Sequence, residues 1–151
     1  MMDKSVDVRR TVAALLAGQR LAVLATQGSK GPYASLVAFA ATRDLRQLVF
    51  ATTRATRKFA NLTGDSRVAL LVDSRSNRES DFHEAVGATV MGTAREATLD
   101  ERERLTTLYL GRHPYLREFL SSPSCALVMV EVAAYYVVSR FQEVLELHIA
   151  P

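Results

Sequence analysis

The chain is a succession of strand-length apolar runs, each closed within a few residues by turn chemistry, and that pattern admits few folds. Residues 21–26 are followed by Gly28-Ser-Lys-Gly-Pro32, residues 33–41 by Thr42-Arg-Asp44, and Gln47–Thr53 by a short polar stretch. Glycine, proline, serine and aspartate favour turns, so the first two runs read as a hairpin and the third as its continuation. Arg67–Asp73 and residues 85–97, 125–132 and 135–149 read as further strands, with a bend expected at Ala133-Ala134 and bulges or close approaches at Gly87 and Gly92. The strands are apolar on both faces, as in Val37-Ala-Phe39 and Val128-Met-Val130. Such a sheet needs cover on both sides. The expectation is a mainly β chain with short helices (α+β): a six- to seven-stranded antiparallel barrel forming a single domain over residues 1–151. Its outer apolar face calls for a partner, which makes a homodimer the expected assembly.

The helices are legible between these runs. Val8, Val12, Leu15, Leu16 and Gln19 share one helical face while Arg9 and Arg10 turn outward, and Gly18 closes that segment. Phe59 and Leu62 fall three apart in a short helix over residues 56–62. Thr98-Leu-Asp-Glu101 matches a capping box opening a helix that runs to about Leu110. A second short helix begins at Pro114 and stops before Ser121-Ser-Pro123, and the polar residues 74–81 read as an exposed loop.

Composition excludes several functions. At 151 residues and 48% hydrophobic, the chain can bury a core without disulfides or metals. Its net charge of +3 is spread along the chain with no run of like charges, and the aromatics are interleaved with strand residues, so no nucleic-acid partner is expected. The apolar runs are too short to span a bilayer, and no signal-peptide core precedes the first helix. The single Cys125 reads as a buried, inert thiol, and cytoplasm is the expected compartment. His83, His113 and His148 lack metal-ligand spacing and no nucleophilic serine motif is present, so neither a metal nor a conventional catalytic set is expected.

The most informative stretch is Leu48-Val-Phe-Ala-Thr-Thr-Arg-Ala-Thr-Arg-Lys58. A strand ends in the hydroxyls of Thr52 and Thr53 and runs into a helix start carrying Thr56, Arg57 and Lys58. Hydroxyls, first-turn N–H groups and cations together suit a phosphate. The same residues would equally make a solvated helix start capped by Thr56.

Taken in order, residues 21–26, Gly31-Pro-Tyr-Ala-Ser35, Phe50-Ala-Thr-Thr53 with Arg57-Lys58, Ala60-Asn-Leu62, Asp65-Ser-Arg-Val-Ala-Leu-Leu71 and residues 88–94 around Gly92 resemble the pyridoxamine 5′-phosphate oxidase-like, FMN-binding split-barrel family. The resemblance spans about residues 10 to 148. It implies an FMN-binding flavoprotein in which Ser35, Leu36 and Val37 lie along the flavin ring. Phe50, Ala51, Thr52 and Thr53 would follow the ring edge, ribityl chain and phosphate, and Arg57 and Lys58 would hold the phosphate. It further implies a homodimer with the flavin at the interface, with Arg140, Phe141 and Gln142 as the residues expected from the partner. The implied activity is oxidoreduction of a small organic substrate by hydride transfer, with a nicotinamide or similar electron donor. Since the flavin supplies the redox centre, a dedicated acid or base is optional. The chain departs from pyridoxamine phosphate oxidase proper. It has no Trp and ends in Phe141-Gln-Glu-Val-Leu-Glu-Leu-His148, without the element that reads the vitamin phosphate. Two alternatives on the same fold are haem binding, through Arg112-His113-Pro114, and a deazaflavin-dependent reductase using Arg75 and Arg78.

Overall fold

The computed structural model describes residues 4–140 and 143–151. The chain opens with helix α1 (Lys4–Gly18) and a meander of β1 (Leu21–Gly28), β2 (Gly31–Ala41) and β3 (Gln47–Thr53). Helix α2 (Arg57–Gly64) leads to β4 (Arg67–Asp73), the short α3 (Asp81–Glu84) and β5 (Val86–Glu96). Then follow α4 (Leu99–Arg112), a 3-10 turn (Pro114–Leu116), α5 (Arg117–Ser121), β6 (Cys125–Ser139) and β7 (Glu143–His148).

All pairings among the described strands are antiparallel, in the order β3-β2-β1-β4-β5-β6-β7, with a further pairing of β3 to β6. That last pairing closes six strands into a barrel and leaves β7 as an appendage. β6 serves both: Cys125 to Glu131 pair with β3, and Ala134 to Ser139 pair with β7. The expected break at Ala133-Ala134 is instead a bulge within one strand. Met91 opposes Ala134 while Gly92 opposes Val132, so Ala133 is the extra residue. A side chain at position 92 would run into the Glu131 carbonyl, which explains the glycine. β6 runs on to Ser139, and Arg140 follows it in the left-handed region at φ 49°.

The barrel interior is filled by alternate residues of each strand, including Leu24, Val37, Phe39, Leu48, Phe50, Leu70, Val90 and Val128, together with α1 residues Val8, Val12, Leu15 and Leu16. A second core lies outside the barrel wall. There Ala40, Val49, Leu127 and Met129 pack against Leu105, Tyr109 and Leu120 of α4 and α5. So one outer face of the doubly apolar sheet is covered by this chain's own helices. The remaining outer face is not: the register lines up Leu36, Val23 and Leu71, and Leu36 and Leu71 are exposed. Cys125 is buried, and burial pushes its thiol pKa up. Among the described residues no helix is long and apolar enough to cross a membrane.

Candidate functional site

The β2–β3 ladder pairs Ala41 with Leu48, Ala40 with Val49 and Phe39 with Phe50, and there it stops. Both strands continue, β2 back to Gly31 along β1 and β3 on to Thr53 along β6, so they diverge and leave a gap in the wall. A cleft of about 400 Å³ opens over this gap. It is lined by Leu36, Val37 and Ala38, by Ala51, Thr52 and Thr53, by Thr56 and Lys58 at the start of α2, and by Tyr109, Leu116 and Phe119. The walls are apolar and the α2 end is polar.

The polar end is built by local hydrogen bonding. Thr56 caps α2, its Oγ1 accepting from the Phe59 N–H at 3.3 Å and donating to the Thr53 carbonyl at 3.1 Å. Thr52 is buried, with its hydroxyl 2.8 Å from that of Thr56. Among the described residues no bond reaches the Thr53 hydroxyl. Of the first-turn N–H groups of α2, those of Phe59 and Ala60 are taken by the Thr56 hydroxyl and carbonyl, which leaves those of Arg57 and Lys58 as the donors an anion could use. Arg54 is taken up elsewhere. Its guanidinium meets both Glu96 carboxylate oxygens at 3.1 and 2.7 Å and the Pro123 carbonyl at 2.9 Å, which fixes the lead from β3 into α2.

Of the residues expected at the site, the cleft brings together Leu36, Val37, Ala51, Thr52, Thr53 and Lys58. Arg57 points the other way. It lies 5.4 Å over the Tyr33 ring, in a neighbouring depression of about 300 Å³ with Lys30 and Asn61. Phe50 is fully buried in the barrel, so only its backbone borders the gap. The Ser35 hydroxyl is buried without a hydrogen-bond partner. Arg140 is exposed in the turn after β6 and is absent from the cleft, while Phe141 and Gln142 lie outside the described residues.

Tyr109, Leu116 and Phe119 were not foreseen. Their spacing on helical segments marks them as apolar, but only the docking of α4 and α5 on β2 and β3 turns them to the cleft. Tyr109 is buried, and its hydroxyl donates to the Ala38 carbonyl at 3.2 Å, with Ala51 beside it in the cleft lining. Burial pushes its pKa up to about 12, so it keeps its proton at neutral pH. One turn on, His113 is the C-cap of α4, just before Pro114. It is buried, its ring 5.1 Å from that of Tyr109, with Nε2 2.7 Å from the Phe39 carbonyl. A carbonyl only accepts, so Nε2 is the donor and is engaged. Arg112 donates to the Leu16 and Gln19 carbonyls at 3.0 and 2.7 Å, binding the end of α1.

A larger concavity, of about 810 Å³, lies at the β5–β6 bulge between Met91, Gly92, Val132 and Arg46, Arg67 and Arg104. It contains none of the residues expected at the site. Arg67 there is paired with Asp65 at 2.7 Å and Arg104 donates to Gln47 at 3.1 Å. The loop arginines are also accounted for in part, since Arg75 pairs with Asp73 at 2.9 Å.

The family model described as pyridoxamine 5′-phosphate oxidase matches residues 8–138. The chain belongs to the pyridoxamine 5′-phosphate oxidase family. No curated protein matches it by sequence, whereas solved structures match it by shape. A heme-binding protein from Mycobacterium smegmatis superposes with a TM-score of 0.83 at 17% identity, over 98% of this chain and 59% of the other. This chain therefore spans less than two thirds of that protein. A protein related to general stress protein 26, of the pyridoxinephosphate oxidase family, from Clostridium acetobutylicum gives 0.74 at 14% identity, over 98% and 97% of the two chains. A FAD-binding protein from Mesorhizobium loti gives 0.68 at 13% identity, over 85% and 90%. These likenesses establish the family's barrel; at such identities they do not carry the neighbours' ligands across.

Proposed function

We propose that this member of the pyridoxamine 5′-phosphate oxidase family is an FMN-binding flavoprotein that works as a homodimer and oxidises or reduces a small organic substrate. The observation that carries the reading is the cleft at the split between β2 and β3, apolar along its walls and closed at one end by the α2 start with Lys58 and Thr53. The residues suit the group. Leu36, Val37, Ala51, Leu116 and Phe119 offer apolar surface to a flat ring, and the polar end offers donors to a phosphate. Bound there, the flavin would supply hydride transfer, with a nicotinamide or similar donor as the source of electrons. The protein's part is to bind the phosphate at Lys58, hold the ring against β2, and leave one ring face open.

The dimer rests on the uncovered sheet face. Leu36, 66% exposed, belongs both to that apolar face and to the cleft, so a second subunit packed on it would also wall the site. Titrating purified protein with FMN, followed by absorbance and gel filtration, tests both parts. Flavin bands that co-elute with a dimer support the reading; a protein that leaves FMN unbound overturns it.

The likeness to the Mycobacterium smegmatis heme-binding protein favours haem as a second reading. His113 would not be its ligand here, being buried and engaged with Phe39. A Soret band on haem addition, with no response to FMN, would choose this alternative.

A further inference from the structure

We propose that the Tyr109 hydroxyl is a positioning group that keeps the barrel split. It stands where the next β2–β3 ladder bond would form and so sets the width of the cleft. This rests on the flavin reading for its consequence, though not for its geometry.

The register supplies the reasoning. Thr42 N–H donates to the Gln47 carbonyl at 2.9 Å, which fixes this as a hydrogen-bonded pair. In an antiparallel ladder every second pair shares that character, so Ala40 with Val49 is the next, and Ala38 with Ala51 the one after. At that position the ladder has stopped. The Ala38 carbonyl instead accepts from the Tyr109 hydroxyl at 3.2 Å, and Ala51 lines the same cleft beside it. A hydroxyl is suited to this because it carries a donor and acceptor sites at one atom. It can enter an N–H···O=C bond and leave neither group unsatisfied. Phenylalanine has the same ring and neither capacity.

The wedge is held from behind. Tyr109 and His113 lie four residues apart on α4 and its C-cap, and they grip the consecutive carbonyls of Ala38 and Phe39. Helix α4 is thereby pinned to β2 at the point where β2 leaves β3. Beyond it the cleft opens, with Tyr109 in its lining.

The test is the Tyr109→Phe variant, read by through-hydrogen-bond NMR coupling between the Ala51 amide and the Ala38 carbonyl, and by FMN titration. In the native protein the coupling should be absent. In the variant it should appear as the strands zip by one more pair, and the FMN dissociation constant should rise about fivefold, equivalent to about 1 kcal/mol. A native protein that already shows the coupling overturns the proposal whether or not the variant folds. So does a variant in which the Ala51 amide exchanges faster and no coupling appears, since the hydroxyl then only satisfies the Ala38 carbonyl. Coupling that appears with unchanged FMN affinity overturns the link to cleft width. If the native protein binds no FMN yet the variant zips, the wedge stands and the flavin reading falls.

Discussion

Arg57 and Lys58 are adjacent in sequence and both cationic, yet the structure predicts that they contribute unequally to binding FMN. Lys58 lines the cleft, whereas Arg57 sits over Tyr33 in the next depression. A charge-assisted hydrogen bond to a phosphate is worth about 1.5–3 kcal/mol, so Lys58→Ala should weaken FMN binding by about 10- to 150-fold. Arg57 makes no such bond in this arrangement. Two unit charges about 10 Å apart in water interact by about 0.4 kcal/mol, so Arg57→Ala should cost only about twofold, less at higher salt. Replacing both should then exceed tenfold, nearly all of it from Lys58. The assay is FMN fluorescence quenching or calorimetry on each variant at fixed ionic strength, with circular dichroism to confirm the fold. Surface substitutions of this kind usually change stability by less than about 0.5 kcal/mol, so affinity and folding separate cleanly. An Arg57→Ala loss equal to or larger than that of Lys58→Ala would refute the placement of the phosphate at the cleft end.

Three further outcomes bear on the scaffold. Gly92→Ala must displace the Glu131 carbonyl at the bulge and should cost about 1–3 kcal/mol, lowering the thermal midpoint by several degrees, while Gly87→Ala meets only ordinary contacts at 3.8 Å and should not. Glu101 is held down to about 2 by Arg95, then by the Thr98 cap, so the folded state sheds its proton more readily than the unfolded chain. Its stabilisation is thus full above about 4.5 and lost as pH falls toward about 2, and urea midpoints for Glu101→Gln should vary less between those values than those of the native protein. His113→Ala leaves the Phe39 carbonyl unsatisfied and a cavity behind, so it should lower stability by about 2–4 kcal/mol, and a Soret band formed on adding haem should survive it.

The strands were legible because their signals are local. Gln47–Thr53 and Arg67–Asp73 are apolar runs bounded by turn residues, and the Thr98 capping box announces α4 without help from the rest of the chain. The bend near Ala133 was visible as a weakness in the pattern, but its nature depends on Gly92, a residue on another strand. The α3 turn was missed because its four residues, tied by Asp81 accepting from Ser76 and Asn77, carry no hydrophobic period. The candidate site divides the same way. Thr53, Thr56 and Lys58 lie in one segment and could be read together. Tyr109 reaches the cleft through a contact between residues 71 apart, and nothing near it in sequence distinguishes it from a buried core residue. Arg57 and Lys58 looked equivalent because sequence lists neighbours without saying which side of a helix start each one occupies.

The double service of β6 has a consequence for how the chain is made. The strand that closes the barrel against residues 47–53 is drawn from residues 125–131, and it also completes the ladder of β5. During synthesis β3 and β5 therefore wait with open edges until that last long strand has emerged, and the sheet stays a curled ribbon rather than a cylinder. Closure between such distant segments is slow. The growing polypeptide is thus most exposed to aggregation late in its synthesis, just before the ring is shut.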